Sequence, residues 1–205
     1  MTMQHIVADG PFGLVSRRCW EIQRRVLEGT LNPNEVADDL QLVMERRFSG
    51  QSFLRLISGS ENLTIDSVDG SETLVEANDV FAYIDPDFQN WKADETGVTT
   101  VETSVRVYEM VKDATFAQMF GSLSEDAEKL CFTQAQIKGF VRKHCQWLRS
   151  DGYATFFLFR SHNHFFVARV RVASGGGLLV GVDRFEHSVV WHAGNLHRVV
   201  VPQLA

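Results

Sequence analysis

The sequence predicts an α+β protein with an N-terminal helical hairpin, an irregular acidic middle segment and a C-terminal helix packed on an antiparallel β-meander. Three observations lead to this prediction: helical spacing of apolar residues near the start of the chain, a helix-capping motif at Thr133, and alternating runs after residue 153 that are joined by short turns. The chain has 205 residues, of which 44% are hydrophobic and 22% charged. These proportions are ordinary for globular proteins and exclude disordered, collagen-like and low-complexity classes.

Residues 12–47 are predicted to form the helical hairpin. Apolar and charged residues alternate near the helical period up to residue 28, and Gly29 follows as a helix stop. Asn32 can cap a second helix with its side-chain oxygen, and Pro33 suits the first helical position, where its missing N–H is no loss. The two helices would then lie against each other.

The middle of the chain changes character. Residues 51–91 form short runs rich in β-branched and aromatic residues, which predicts short strands and loops. Residues 92–105 contain few large apolar groups and are expected to form a linker or surface excursion, followed by a helix over 106–121. We therefore predict two regions, 1–105 and 106–205, with one continuous domain as the alternative.

A helix over residues 133–148 is predicted from the capping box, in which the Thr133 hydroxyl and the Gln136 side chain satisfy each other's exposed N–H groups. The expected strands of the meander are 153–160, 164–172, 178–183, 187–192 and 197–201. Their connections are short, as hairpins require and parallel crossovers forbid. The first of these strands is apolar on both faces, so it should be central or covered by a helix.

Charge is distributed unevenly along the chain. The net charge of −6 combines −13 in residues 59–128 with +7 in residues 129–205. Either the acidic middle pairs with the basic end of the same molecule, or the basic end faces an anionic partner such as nucleic acid. The sequence leaves both interpretations open.

The start of the chain does not have the pattern of a signal peptide, and the densest apolar run is far too short to span a membrane. Three cysteines without a CxxC motif suit a reducing compartment. We therefore expect a soluble, cytoplasmic protein that does not contact a membrane. No motif indicates a cofactor.

Several stretches together resemble a set of uncharacterised bacterial proteins built from similar blocks. These stretches cover residues 54–91, which end in NDVFAYIDPDFQNW, residues 107–123, residues 148–172 and the segment VVPQL at 200–204. Because no activity is known for that set, the resemblance implies a bacterial cytoplasmic scaffold but no ligand and no catalytic residue.

A histidine group is the first candidate site. Neutral imidazole is the commonest metal ligand near neutral pH, and a meander could bring several C-terminal histidines together. The predicted ligands are His162, His164, His187 and His192. Asp183 or Glu186 could supply a carboxylate. The alternative interpretation is that these histidines are polar turn residues.

Basic residues of the C-terminal region are the second candidate. They could bind phosphates, with nearby aromatic rings available for stacking. The predicted nucleic-acid-binding residues are Arg160, Arg169, Arg171, Arg142 and Lys143. Alternatively, the arginines of the sheet pair with Asp183 and Glu186 across strands.

The leading functional hypothesis is a non-enzymatic cytoplasmic interaction protein whose separated acidic and basic surfaces engage an unknown protein partner. The alternative is a nucleic-acid-binding protein that uses the basic C-terminal sheet. The second alternative is a metal- or thiol-dependent hydrolase, with the histidine group or Cys19 as its chemistry. The sequence assigns no catalytic residue and leaves open whether the protein is an enzyme.

Overall fold

The structure is a computed structural model that describes residues 11–44, 52–59 and 61–204. The chain divides into two compact units, Met1–Phe48 and Ser49–Ala205. We call them the helical unit and the sheet unit. Residues 105 and 106, which bound the two regions predicted from the sequence, are consecutive residues of one strand of the sheet unit.

The helical unit contains α1 (Pro11–Leu27) and α2 (Pro33–Met44). The expected helix stop and cap are confirmed: Gly29 has a positive φ of 70°, and the Asn32 side chain accepts a hydrogen bond from the N–H of Asn34 at 3.0 Å. The predicted hairpin is wrong, however, because apolar residues of both helices line an open groove of about 510 Å³ instead of closing on each other. Residues 45–47 of that prediction lie outside the described residues.

The described residues of the sheet unit form eight strands and three α-helices. The strands are β1 (Leu54–Leu56), β2 (Leu63–Ile65), β3 (Tyr83–Ile84), β4 (Thr103–Met110), β5 (Ala154–Ser161), β6 (His164–Val172), β7 (Leu178–Arg184) and β8 (Arg198–Pro202). The helices are α3 (Asp87–Asn90), α4 (Phe116–Gly121) and α5 (Gln134–Lys143). Short 3₁₀ turns lie at Ala127–Leu130, Cys145–Trp147 and Ala193–Asn195.

The strands form one mixed sheet in the order β1-β4-β8-β5-β6-β7-β3, with β2 also paired to β4. The pairs β5–β8 and β3–β7 are parallel, and the other pairs are antiparallel. The predicted fold class is therefore wrong. Only β5, β6 and β7 form a meander; the chain after β7 then crosses back over the sheet and inserts β8 between β4 and β5.

The predictions for the middle segment also need correction. The segment is not irregular throughout, because it supplies β1, β2 and β3 to the sheet. Residues 103–110, expected to straddle a linker and a helix, form β4, whose Val105 and Val107 are buried on one face at the two-residue period of a strand. The expected strand at 187–192 is a loop with one isolated bridge at Trp191.

Two apolar clusters cover the two faces of the sheet. On the first face, Phe157 and Phe159 of β5 pack with α5 and with residues 74–93. On the second face, Phe156 and Leu158 pack in one cluster with residues of α4. Phe185 and Trp191, from the segment that connects β7 to β8, pack against this cluster. The expectation that β5 is central is therefore confirmed, and α5 covers a mixed sheet rather than a meander.

The Thr133–Gln136 capping box at the start of α5 is confirmed. The helix ends at Lys143 and a short 3₁₀ turn follows, instead of continuing to residue 148. Among the described residues, no helix is both long enough and apolar enough to cross a membrane.

Candidate functional site

The basic residues of α5 pair with the acidic middle segment. Lys138, buried at 5% exposure, places its Nζ 2.7 Å from Glu72 Oε1 and 3.2 Å from Asp79 Oδ1. Arg142, a predicted nucleic-acid-binding residue, also bonds to Asp79. Opposite charges of the two segments therefore meet within one chain, as one of the two sequence interpretations expected.

Lys143 and Arg160, two further predicted nucleic-acid-binding residues, also have carboxylate partners. Lys143 Nζ lies 2.5 Å from Asp66 Oδ1, and Arg160 donates to Glu128 Oε1 at 2.6 Å from the end of β5. Exposed pairs of this kind contribute little stability. They do, however, place a carboxylate beside each cation, so these cations are already neutralised within the chain instead of being available to a phosphate backbone.

Arg169 and Arg171 lie on the second face of β6. Arg169 Nε is 3.6 Å from Asp183 Oδ2, and its guanidinium lies over the Trp191 ring at 5.9 Å. Gly181 makes room for this guanidinium, because a Cβ there would lie 2.9 Å from Arg169 Nη2. Burial raises the pKa of Asp183, and the Arg169 charge opposes that rise. Arg171 is exposed.

The four predicted metal ligands occupy separate places. His162 lies in the β5–β6 turn, where its main-chain N–H donates to the Glu95 side chain. His164 is exposed at the start of β6. His187 follows β7, and His192 places its Nδ1 3.1 Å from Asp113 Oδ2. Within residues 11–44, 52–59 and 61–204, no group of three or more His, Cys, Asp or Glu side chains is arranged to hold a metal ion. The metal site remains a prediction.

The cysteines differ in exposure. Cys19 on α1 and Cys145 after α5 are exposed, whereas Cys131 is partly buried. Burial raises the pKa of Cys131 to about 12, so its thiol stays protonated near neutral pH. None of these features indicates an activated nucleophile.

An open groove of about 850 Å³ lies beside the start of α5. Sequence analysis did not find it. One wall is the segment 95–101, and the opposite wall includes Thr133, Gln136 and Arg160. We call it the threonine groove, because Thr96, Thr99, Thr100, Thr103 and Thr133 all line it. The Thr-rich composition of residues 96–103 marks one wall of the groove in the sequence, but the same composition is typical of a linker and does not predict a groove.

The 95–101 wall offers main-chain groups as well as side chains. Thr100 and Val68 exchange two main-chain hydrogen bonds, so the chain is extended at Thr100. The main-chain groups of the two adjacent residues, Thr99 and Val101, therefore point away from Val68. The N–H groups of Thr99 and Val101 have no hydrogen-bond acceptor among the described residues. Both residues are exposed and line the groove.

Two apolar side chains of this wall are accessible. Val98 and Val101 expose 73% and 79% of their surface, so both can contact a bound molecule. The Thr100 hydroxyl oxygen has no hydrogen-bond partner in the described part of the chain, but it is buried and therefore not accessible from the groove. The groove combines apolar side chains with the unpaired N–H groups of Thr99 and Val101.

Comparisons with protein-family models, with curated proteins and with solved structures found no match to this chain. The candidate site therefore depends on the geometry of the chain itself.

Proposed function

We propose that the protein is a non-enzymatic interaction protein that binds an extended polypeptide segment of a partner in the threonine groove. The observation that carries this proposal is the extended 99–101 wall, whose Thr99 and Val101 N–H groups are unpaired in the described structure. Unpaired main-chain groups on an extended segment can receive another strand. Peptide recognition by strand addition uses such groups for affinity and neighbouring pockets for specificity.

The groove fits this role in size and in lining. Its volume of about 850 Å³ lies within the range of ligand sites, about 300–1,000 Å³. The exposed Val98 and Val101 side chains would pack against apolar residues of the peptide. The Thr and Gln side chains opposite can donate and accept hydrogen bonds, so they would satisfy polar groups of the bound chain.

The distribution of charge supports the interaction protein over a nucleic-acid-binding protein. Four of the five predicted nucleic-acid-binding residues, Arg142, Lys143, Arg160 and Arg169, have a carboxylate within 4 Å in the same chain. Binding to a phosphate backbone would have to compete with these pairs. The hydrolase alternative has less support, because the described histidines do not form a metal-binding group.

The cytoplasm is the location that we propose for this interaction. All three cysteines are free thiols, which a reducing compartment maintains.

The experiment is a selection of peptides from a random library displayed on phage, with the wild-type chain as bait. The enriched peptides are synthesised, and their affinity is measured for the wild type and for Val101→Pro, which removes one unpaired N–H. Proline is tolerated in an edge segment, and the extended conformation of Thr100 suits a residue before proline. We expect Val101→Pro to weaken binding about tenfold, since an unmet hydrogen bond costs about 1–3 kcal/mol.

Val101→Ile is the matched control, because it keeps the N–H and a β-branched apolar side chain and should bind the peptides about as the wild type does. Circular dichroism of both variants checks that the fold is intact. A selection that enriches no peptide, or peptides that bind equally well to Val101→Pro, would contradict the proposed function.

A further inference from the structure

The helical unit carries apolar surface that its own two helices do not cover. On α1, residues at spacings of three and four form one stripe: Val15, Cys19, Ile22 and Val26. On α2 the matching stripe is Val36, Leu40 and Val43. Both stripes contribute to the open groove of about 510 Å³ between the helices, which we call the helical groove. Val15, Leu40 and Val43 are exposed.

Two helices of this length need further packing to be stable. Burying the two stripes against another molecule would supply that packing.

The charges of the two helices indicate which molecule covers them. α1 has four arginines and one glutamate, a net charge of +3, whereas α2 has three acidic residues and no basic residue, a net charge of −3. Residues that flank the stripes carry these charges, namely Arg18 and Arg25 on α1 and Glu35 and Asp39 on α2. A surface with one basic and one acidic helix is complementary to a second copy of itself.

We propose that the helical groove is a self-association surface, in which α1 of one copy packs along α2 of a second copy and the reverse. A twofold axis makes both contacts identical. Each contact buries one apolar stripe against another and sets opposite charges side by side, as flanking charges do in helical bundles. This association is independent of peptide binding by the threonine groove.

The test uses two charge-reversed variants of the full chain. Arg18→Glu/Arg25→Glu makes both helices acidic, and Glu35→Lys/Asp39→Lys makes both basic. Sedimentation velocity over a range of concentrations should show a dimer for the wild type. Each variant alone should have its dimer dissociation constant raised at least tenfold, because like charges then face each other. An equimolar mixture of the two variants should form the heterodimer.

Arg17→Glu/Arg24→Glu is the matched control, since it makes the same change of charge on the opposite side of α1 and should leave the dimer intact. Circular dichroism of each variant reports its helix content, and the rescue in the mixture itself requires folded helices. A wild-type chain that stays monomeric at all concentrations would overturn the proposal. So would a mixture of the two reversed variants that does not associate.

Discussion

The two faces of the sheet are built differently. On the first face, several polar side chains that reach the core are bonded: Gln134 accepts from the N–H of Leu74 at 2.9 Å and donates to Glu95 O at 2.8 Å, while His144 Nε2 lies 2.8 Å from Thr64 O. Arg198 Nε, on the same side of β8 as Val200, is a buried atom of this face without a hydrogen bond in the described part of the chain. On the second face, three buried polar atoms lack a hydrogen bond among the described residues, namely Arg169 Nε, Asp183 Oδ2 and Trp191 Nε1.

Burial alone therefore does not measure what each face contributes to stability. A buried polar atom without a hydrogen bond costs about 1–3 kcal/mol. Apolar packing on each face must offset that cost, which is larger on the second face because more of its buried polar atoms lack a hydrogen bond. Water that entered the second face would recover part of the cost.

The greatest loss of stability is expected when either of two neighbouring residues of β5, which point to opposite faces of the sheet, is replaced by alanine. Phe157→Ala should lower the free energy of unfolding by about 3–5 kcal/mol, as is usual for a buried phenylalanine. The centre of the Phe156 ring lies 4.7 Å from the centre of the Trp191 ring. Phe156→Ala should lower the free energy of unfolding by about 1 kcal/mol less than Phe157→Ala does, because water in the new cavity can bond to the Trp191 indole. Guanidinium unfolding monitored by tryptophan fluorescence measures both values.

An equal loss of stability for the two variants would show that the second face is as dry and as tightly packed as the first. Phe156→Leu and Phe157→Leu serve as controls, since they leave much smaller cavities and should reduce the difference between the faces.

The second prediction concerns His197, which is buried on the second face with its Nδ1 accepting the N–H of Ala154 at 3.1 Å. Burial lowers the pKa of His197 from its usual 6.5. Below pH 6.5 the His197 side chain therefore binds a proton in the unfolded chain but not in the folded chain. As the pH is lowered through this range, the free energy of unfolding should decrease. One such group contributes at most about 1.4 kcal/mol per pH unit.

His197→Gln keeps a hydrogen-bond acceptor but does not titrate, so its unfolding free energy should depend less on pH between 7.5 and 5.5. His164→Gln, at an exposed position on β6, should behave as the wild type. If the slopes of the wild type and His197→Gln were the same, the imidazole would have to be protonated in the folded state.

The smallest effect is expected at the cap of the helix on the first face. The Thr133 hydroxyl accepts the N–H of Gln136 at 3.2 Å, and the Gln136 side chain accepts the N–H of Thr133 at 2.9 Å. Thr133→Ala should lower the free energy of unfolding by about 1 kcal/mol, and Thr133→Ser should restore most of it. Thermal unfolding followed by circular dichroism distinguishes the variants; an unchanged midpoint for Thr133→Ala would mean that the cap is not used.

Local features of the fold could be predicted, and long-range features could not. Gly29, Asn32 and the Thr133–Gln136 box depend on contacts within four residues, so the sequence displays them. β4 was missed because the two-residue alternation of Val105 and Val107 is short and follows a Thr-rich stretch typical of a linker. The position of β8 depends on pairing with β4 and β5, which lie far away in the chain and leave no local pattern.

The same limit applies to the candidate site. Charge asymmetry correctly offered pairing of the acidic middle with the basic end as one interpretation, but only the fold selects Asp79 and Glu72 as the partners of Lys138. The threonine groove could not be foreseen, because its walls come from residues 95–101, from the start of α5 and from the end of β5. The composition of one stretch cannot show that three segments distant in the chain form one groove.

The insertion of β8 has a consequence for synthesis on the ribosome. β4 and β5 each leave one edge open until residues 198–202 arrive, because β8 pairs with both of them. A nascent chain that has emerged only as far as β7 therefore holds two separate sheet fragments with facing, unsatisfied edges. Completion of the fold must wait for translation to pass this strand, and the cell has to keep those edges from pairing with other chains in the meantime.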